Sequence, residues 1–126
     1  YAHAMEKVHE EFDLILTPTV SDVAPLQTQF PMEESVRQAL NQIEELSVPE
    51  QQSVIWRMFD RTLALTPFTQ LSNITGAPAI SLPVYLSDKG LPIGAQFMAA
   101  RGQEALLLQV AEWFEEQGQF EMRQFS

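Results

Sequence analysis

The stretch NITGAPAISLP, residues 73–83, sets a short apolar run between two prolines and just after a glycine. Gly76 is placed to end a helix, because glycine enters the left-handed conformation of a C-terminal cap without a Cβ penalty. Pro78 then prevents the helix from resuming, and Ala79–Leu82 is long enough only for a short strand, which Pro83 closes. One element therefore hands over to another within a few residues. Upstream, PFTQLSNIT forms two short turns of helix that lead into Gly76. Downstream, SDKGLP (87–92) is a turn with Gly90 available for positive φ, and IGAQFMA (93–99) is the next strand.

The same reading extends outward. Met5, Val8 and Phe12 recur at helical spacing in residues 1–12. DLILTPT (13–19) holds a short buried strand, Leu14–Leu16, stopped by Pro18. Residues 20–32 are a loop. Val36, Leu40 and Ile43 share one face of a helix over 32–46. Pro49 opens another as a first-turn proline, running to about Leu65. The last element, 103–117, is amphipathic: Leu106, Leu107, Val110, Ala111, Trp113 and Phe114 face one way, and Glu104, Glu112, Glu115 and Glu116 the other. Trp56, Phe59, Trp113 and Phe114 are read as core aromatics. The order is that of an α/β fold with about three short strands and four to five helices. So thin a sheet, with a long connection after its first strand, is expected to be part of a larger mixed sheet.

Composition narrows the function. The formal charge is −10, from 17 acids against 7 bases, and no local cluster of Lys or Arg offsets it. Such a surface repels phosphate backbones, so no nucleic-acid partner is expected. No apolar run approaches the ~20 residues of a membrane helix, so no membrane partner is expected either. The absence of cysteine leaves no thiolate metal site and no disulfide, which fits a cytoplasmic protein. The chain opens on Tyr1 rather than methionine, and we expect it to be an excerpt of a longer polypeptide.

The residues for catalysis are missing. There is no G-x-S-x-G elbow, no phosphate-cradling G-x-G-x-x-G and no G-K-[ST]. Glu6 and His9 have the spacing of one half of a di-iron ligand set. The second half and the further carboxylates are lacking, so His3 and His9 are read as surface residues and no metal is assigned. Lys7 and Lys89 sit on an exposed helical face and in a turn, without the buried surroundings that would make an amine a base. No cofactor is expected.

Taken together, DLILTPT, PFTQLSNITGAPAISLP, GLPIGAQFMA and the helix opening QEALLLQVAEWFE resemble, in order and over nearly the whole chain, the carboxyl-terminal part of the amidase signature family. The PFT start and the PIGAQF segment look most like its 6-aminohexanoate cyclic-dimer hydrolases. The resemblance implies that residues 1–126 are a carboxyl-terminal segment of an amidase-signature domain. It also implies amide hydrolysis by a serine–cis-serine–lysine triad with a glycine- and serine-rich oxyanion loop. This sequence has neither that loop nor a triad lysine, so no catalytic residue carries over and the chain is expected to be inert alone.

The resemblance leaves scaffold and some pocket wall: Thr17, Pro18 and Thr19 after the first strand, and Thr69 and Asn73 in the helix before Gly76. The plainer readings are a strand-end turn satisfied by its own backbone for Thr17 and Thr19, and backbone satisfaction near a helix end for Asn73. Gln96 is read as a buried hydrogen-bonding residue. The expected partners are the missing amino-terminal part of the same protein, a small-molecule amide and, from exposed sheet edges, a second copy in a homodimer. The alternative is a free-standing binding or oligomerisation domain that keeps the amidase scaffold without its chemistry.

Overall fold

The computed structural model describes residues 1–121, the Arg61 side chain excepted, and they form two compact units. Unit 2, residues 25–65, interrupts the sequence of unit 1.

Unit 1 holds helix α1 (Ala2–Val8), strand β1 (Leu14–Pro18), helix α4 (Thr69–Thr75), strands β2 (Ala79–Leu86) and β3 (Pro92–Ala99), and helix α5 (Glu104–Glu116). Its sheet has the order β1-β3-β2 and both pairings are antiparallel. The last strand in sequence is therefore central. Alternation along the strands separates two faces. On one, Ile15, Met98 and Ala79 lie across from one another, and Met98 is fully buried against Met5 of α1, Ala77 and Leu71 of α4. Burying a methionine of this kind stabilises a fold by about 2 kcal/mol. On the other face Phe97 meets Phe114 of α5 edge-on at 5.6 Å, and Leu82 and Leu107 are buried.

Pro83 does not end β2, as the sequence suggests. The strand continues to Leu86 through a register shift between Pro83 and Tyr85. A proline is tolerated there because β2 is an edge strand of the sheet formed by the described residues, and the irregularity restores pairing beyond it. The turn that follows is fixed by Gly90, at φ 68°, and by Ser87, whose Oγ accepts from the Leu91 N–H at 3.1 Å.

Unit 2 comprises helix α2 (Glu34–Asn41), a 3₁₀ turn (Ile43–Glu45) and helix α3 (Val48–Leu65). Val36 and Val54 are its buried centre. The sequence Ser47-Val-Pro-Glu50 starts α3 as a capping box: Glu50 Oε2 accepts from the Ser47 N–H at 2.9 Å and from its hydroxyl at 2.5 Å. Those two bonds, the hydroxyl's first, hold the Glu50 carboxyl below its ordinary pKa.

Three of the four aromatics expected in the core are not there. Trp56 is 69% exposed, Phe59 46% and Trp113 55%, and only Phe114 is turned inward. The inward stripe of α3 runs through Val54 and Met58, so Trp56, two positions from each, faces away. On α5 the stripe runs through Leu107 and Phe114, and Trp113 lies off it, packed edge-on to Phe114 at 5.2 Å.

Candidate functional site

Thr17, Gln96 and Ser81 share the sheet face that carries Met98. In the register, Thr17 of β1, Gln96 of β3 and Ser81 of β2 lie directly across from one another. Gln96 is 4% exposed. Its Nε2 donates to Thr17 Oγ1 at 3.3 Å and to the Phe68 carbonyl at 3.5 Å, so one amide reaches both the end of β1 and the entry to α4. Two residues along, Thr19 Oγ1 and Ser81 Oγ are 2.6 Å apart, while the Thr19 N–H donates to the Gly94 carbonyl at 3.0 Å. The hydroxyl pair spans Gly94. A Cβ on that glycine would land on Ser81 Oγ and come within 2.7 Å of Thr19 Oγ1.

Thr17 and Thr19 are thus held by the neighbouring strands rather than by their own backbone, which corrects the strand-end turn read from the sequence. Pro18 alternates to the opposite face of β1 and is exposed. The two α4 candidates are bonded within their own helix region. Thr69 Oγ1 donates to the Thr66 carbonyl at 3.2 Å, and Asn73 Nδ2 to the Thr69 carbonyl at 3.3 Å. Asn73 therefore satisfies backbone near the helix end, as its position suggests. Ser72 and Thr75 hydroxyls likewise donate to carbonyls of the preceding turn, at 3.1 and 2.7 Å. Gly76 caps α4 in the left-handed conformation, and the Arg101 guanidinium donates to the Thr75 carbonyl through Nε at 3.1 Å and Nη2 at 2.5 Å.

The arrangement is suited to hydrogen bonding and contains no evident nucleophile with its base. The Thr19–Ser81 pair joins two hydroxyls without a basic group. Ser47 and Glu50 join a serine to a carboxylate, but hydrogen bonding lowers that carboxyl's pKa, the wrong direction for a general base near neutral pH. Lys7 and Lys89 are exposed. Among the described residues no three of His, Cys, Asp and Glu group to hold a metal ion, and no helix is long and apolar enough to cross a membrane.

His9 departs from the surface residue read from the sequence. It is half-buried, its Nδ1 lies 3.0 Å from the Phe12 carbonyl, and its Nε2 is buried without a hydrogen-bond partner. A cavity of about 240 Å³ beside it is lined by Phe12, Asp13, Ala100, Gln103 and Leu106. A second, of about 120 Å³ in unit 2, is lined by Phe30, Met32, Val36, Arg57 and Met58 among others. None of Thr17, Pro18, Thr19, Thr69 and Asn73 lines either cavity. Sequence reasoning missed Ser81 and Gly94. Strand alternation was the available signal, but it places them beside Thr19 only once the pairing of β1 with β3 is known.

Comparison with known proteins agrees with these features. The sequence profile of the Amidase family matches residues 1–108. The lipoamidase of Enterococcus faecalis is 35% identical over 114 residues, which are 90% of this chain and 16% of that protein. A putative amidase of Mycobacterium leprae is 39% identical over 105 residues, 83% of this chain and 18% of its own length. The structure of 6-aminohexanoate cyclic dimer hydrolase in complex with substrate superposes with a TM-score of 0.60 at 33% identity, over 92% of this chain and 22% of that one. The chain thus spans about a fifth of the length of each of these proteins. With a family match over most of its residues and a fold shared with a cyclic-dimer hydrolase, this chain belongs to the amidase family.

Proposed function

We propose that the chain is the scaffold and part of the pocket wall of an amidase-type hydrolase acting on C–N bonds of small linear or cyclic amides. The observation that carries this reading is the polar row Thr17–Gln96–Ser81, with Thr19, in a family member. It is ordered hydrogen-bonding surface without a nucleophile–base pair. In this reading the serine–cis-serine–lysine triad and the oxyanion loop lie in sequence outside these 126 residues, and the chain is inert by itself. Thr17, Pro18, Thr19, Thr69 and Asn73 border the substrate, and the remainder of the domain extends the sheet and closes the pocket. The enzyme is cytoplasmic, needs no cofactor, and takes a small amide rather than nucleic acid or membrane as its partner.

The test compares the 126-residue chain with the full-length product of its gene on a panel of linear and cyclic amides. Turnover by the longer protein alone is the expected result. Turnover by the 126 residues refutes the assignment of the triad, and silence in both refutes amide hydrolysis.

A second reading rests on exposed apolar side chains of unit 1. Leu16 of β1 is 63% exposed and Leu108 of α5 65%. They fit a non-catalytic binding or oligomerisation domain, or a homodimer of the enzyme. Light scattering after size exclusion separates these from a monomer.

A further inference from the structure

The direction of the hydrogen bonds around Gln96 has a chemical consequence. A carbonyl oxygen can only accept, so the Gln96 atom that faces the Phe68 carbonyl is the amide nitrogen and not its oxygen. The same nitrogen therefore donates to Thr17 Oγ1. Thr17 receives a proton on one lone pair and keeps its own hydroxyl proton. A hydroxyl that accepts a hydrogen bond becomes a better donor, because the two bonds polarise each other. Thr17 is half-buried at the end of β1, and its β-branched side chain holds few rotamers. By contrast, the hydroxyls of Thr69, Ser72 and Thr75 are committed to carbonyls of α4 or the turn before it.

Resting on the reading above, we propose that Thr17 donates a hydrogen bond to a carbonyl oxygen of the bound amide, and that Gln96 is the positioning residue that aims it. The chain of donors runs from the Gln96 amide to the Thr17 hydroxyl to the ligand. Thr17 selects ligands that present an acceptor oxygen, and an amine or hydrocarbon of the same shape leaves its proton unpaired. Gln96 reaches the ligand only through Thr17. The second acceptor of Gln96, the Phe68 carbonyl, fixes the amide's orientation and so the polarity of the whole chain.

The experiment uses the full-length protein and three variants. Thr17→Val keeps the shape and removes the hydroxyl, Thr17→Ser keeps the hydroxyl, and Gln96→Glu replaces the donating amide by an acceptor that captures the Thr17 proton. With an amide substrate, Thr17→Val is expected to raise KM about five- to tenfold, the worth of one neutral hydrogen bond. Its kcat moves less than KM, and its melting temperature falls modestly, because the buried Gln96 amide loses one of its two acceptors. Thr17→Ser restores most of the KM. Gln96→Glu raises KM by a similar factor, and the double variant with Thr17→Val is no worse than either single change, because the two act in series. An unchanged KM in Thr17→Val, or effects that multiply in the double variant, overturns the proposal. If the wild type hydrolyses no amide, the hydrolase reading fails and equilibrium binding decides the proposal. A seven-membered lactam is then titrated against the cyclic amine of the same ring size. Preference for the lactam that disappears in Thr17→Val upholds the donor role, and equal or absent binding of the two overturns it.

Discussion

Replacing Gly94 by alanine tests the close approach on which the polar row depends. Gly94 does not need glycine for its backbone, since its φ is not positive. It needs glycine for space: an added Cβ would land on Ser81 Oγ, 2.7 Å from Thr19 Oγ1 and 3.3 Å from Thr19 Cβ. Two of these neighbours are hydroxyls 2.6 Å apart in a hydrogen bond, so neither rotates away without breaking it. Losing that bond costs about 1 kcal/mol, and forcing a methyl group into a filled space costs about 1–3 kcal/mol more. The expected destabilisation is therefore about 2–4 kcal/mol, read as a lower urea midpoint at unchanged slope. Ser81→Ala in the same protein should recover the overpacking part, because it removes the nearest obstructing atom. Gly90→Ala is the contrast. Nothing lies within 4 Å of its new Cβ, but φ is 68°, so its penalty of about 1–2 kcal/mol is backbone strain that Ser81→Ala cannot relieve. If Gly94→Ala unfolds within about 0.5 kcal/mol of the wild type, the spread expected of neutral surface changes, the reasoning from close approach is wrong.

Met98→Ala, at a fully buried position between α1 and α4, should lose about 2–5 kcal/mol in urea denaturation. Arg101→Met should cost about 1 kcal/mol in the same assay by uncapping the Thr75 carbonyl, and Arg101→Lys, which cannot fork onto one oxygen, should recover part of it. Ser47→Ala should weaken the start of α3, seen as a loss of helical circular dichroism on mild heating. The capping box also gives a pH signature. The Glu50 pKa is lowered in the folded protein, so its contribution is complete above the ordinary carboxylate range and fades as pH falls through the lowered value. Ser47→Ala should flatten that acid limb, and an unchanged profile from pH 6 to 2 would exclude the assignment.

Much of the fold is legible residue by residue where local chemistry decides it. Gly76 ends α4 in the left-handed conformation that its place before Pro78 demands. Pro49 lies in the first turn of α3, and Gly90 turns β2 into β3 with positive φ. Gln96 is buried and hydrogen-bonded, as its position between Ala95 and Phe97 suggests. What is not legible depends on partners distant in sequence. Pro83 breaks a strand only if both sides of that strand are paired, and β2 is at an edge. Trp56 and Trp113 look like core residues because a helical wheel shows which side is apolar, not how much of that side a neighbour covers. The candidate site follows the same rule. The bonds of Thr69 and Asn73 are local and could be anticipated, whereas those of Thr17 and Thr19 depend on the β1–β3–β2 order.

That order also sets a timetable. Thr17 and Gln96 are 79 positions apart, yet they face each other across adjacent strands. At a synthesis rate of about 5–20 residues per second, β1 leaves the ribosome roughly 4–16 s before β3, its strand partner among the described residues. The β2–β3 hairpin, with a five-residue turn from Ser87 to Leu91, closes on a microsecond scale once it emerges. Of these three strands β1 is made first and joined last, and in the interval its Leu-Ile-Leu run lacks the β3 partner it has in the fold. The slow search for β3 is where nascent chains of this protein are most open to a chaperone, or to one another.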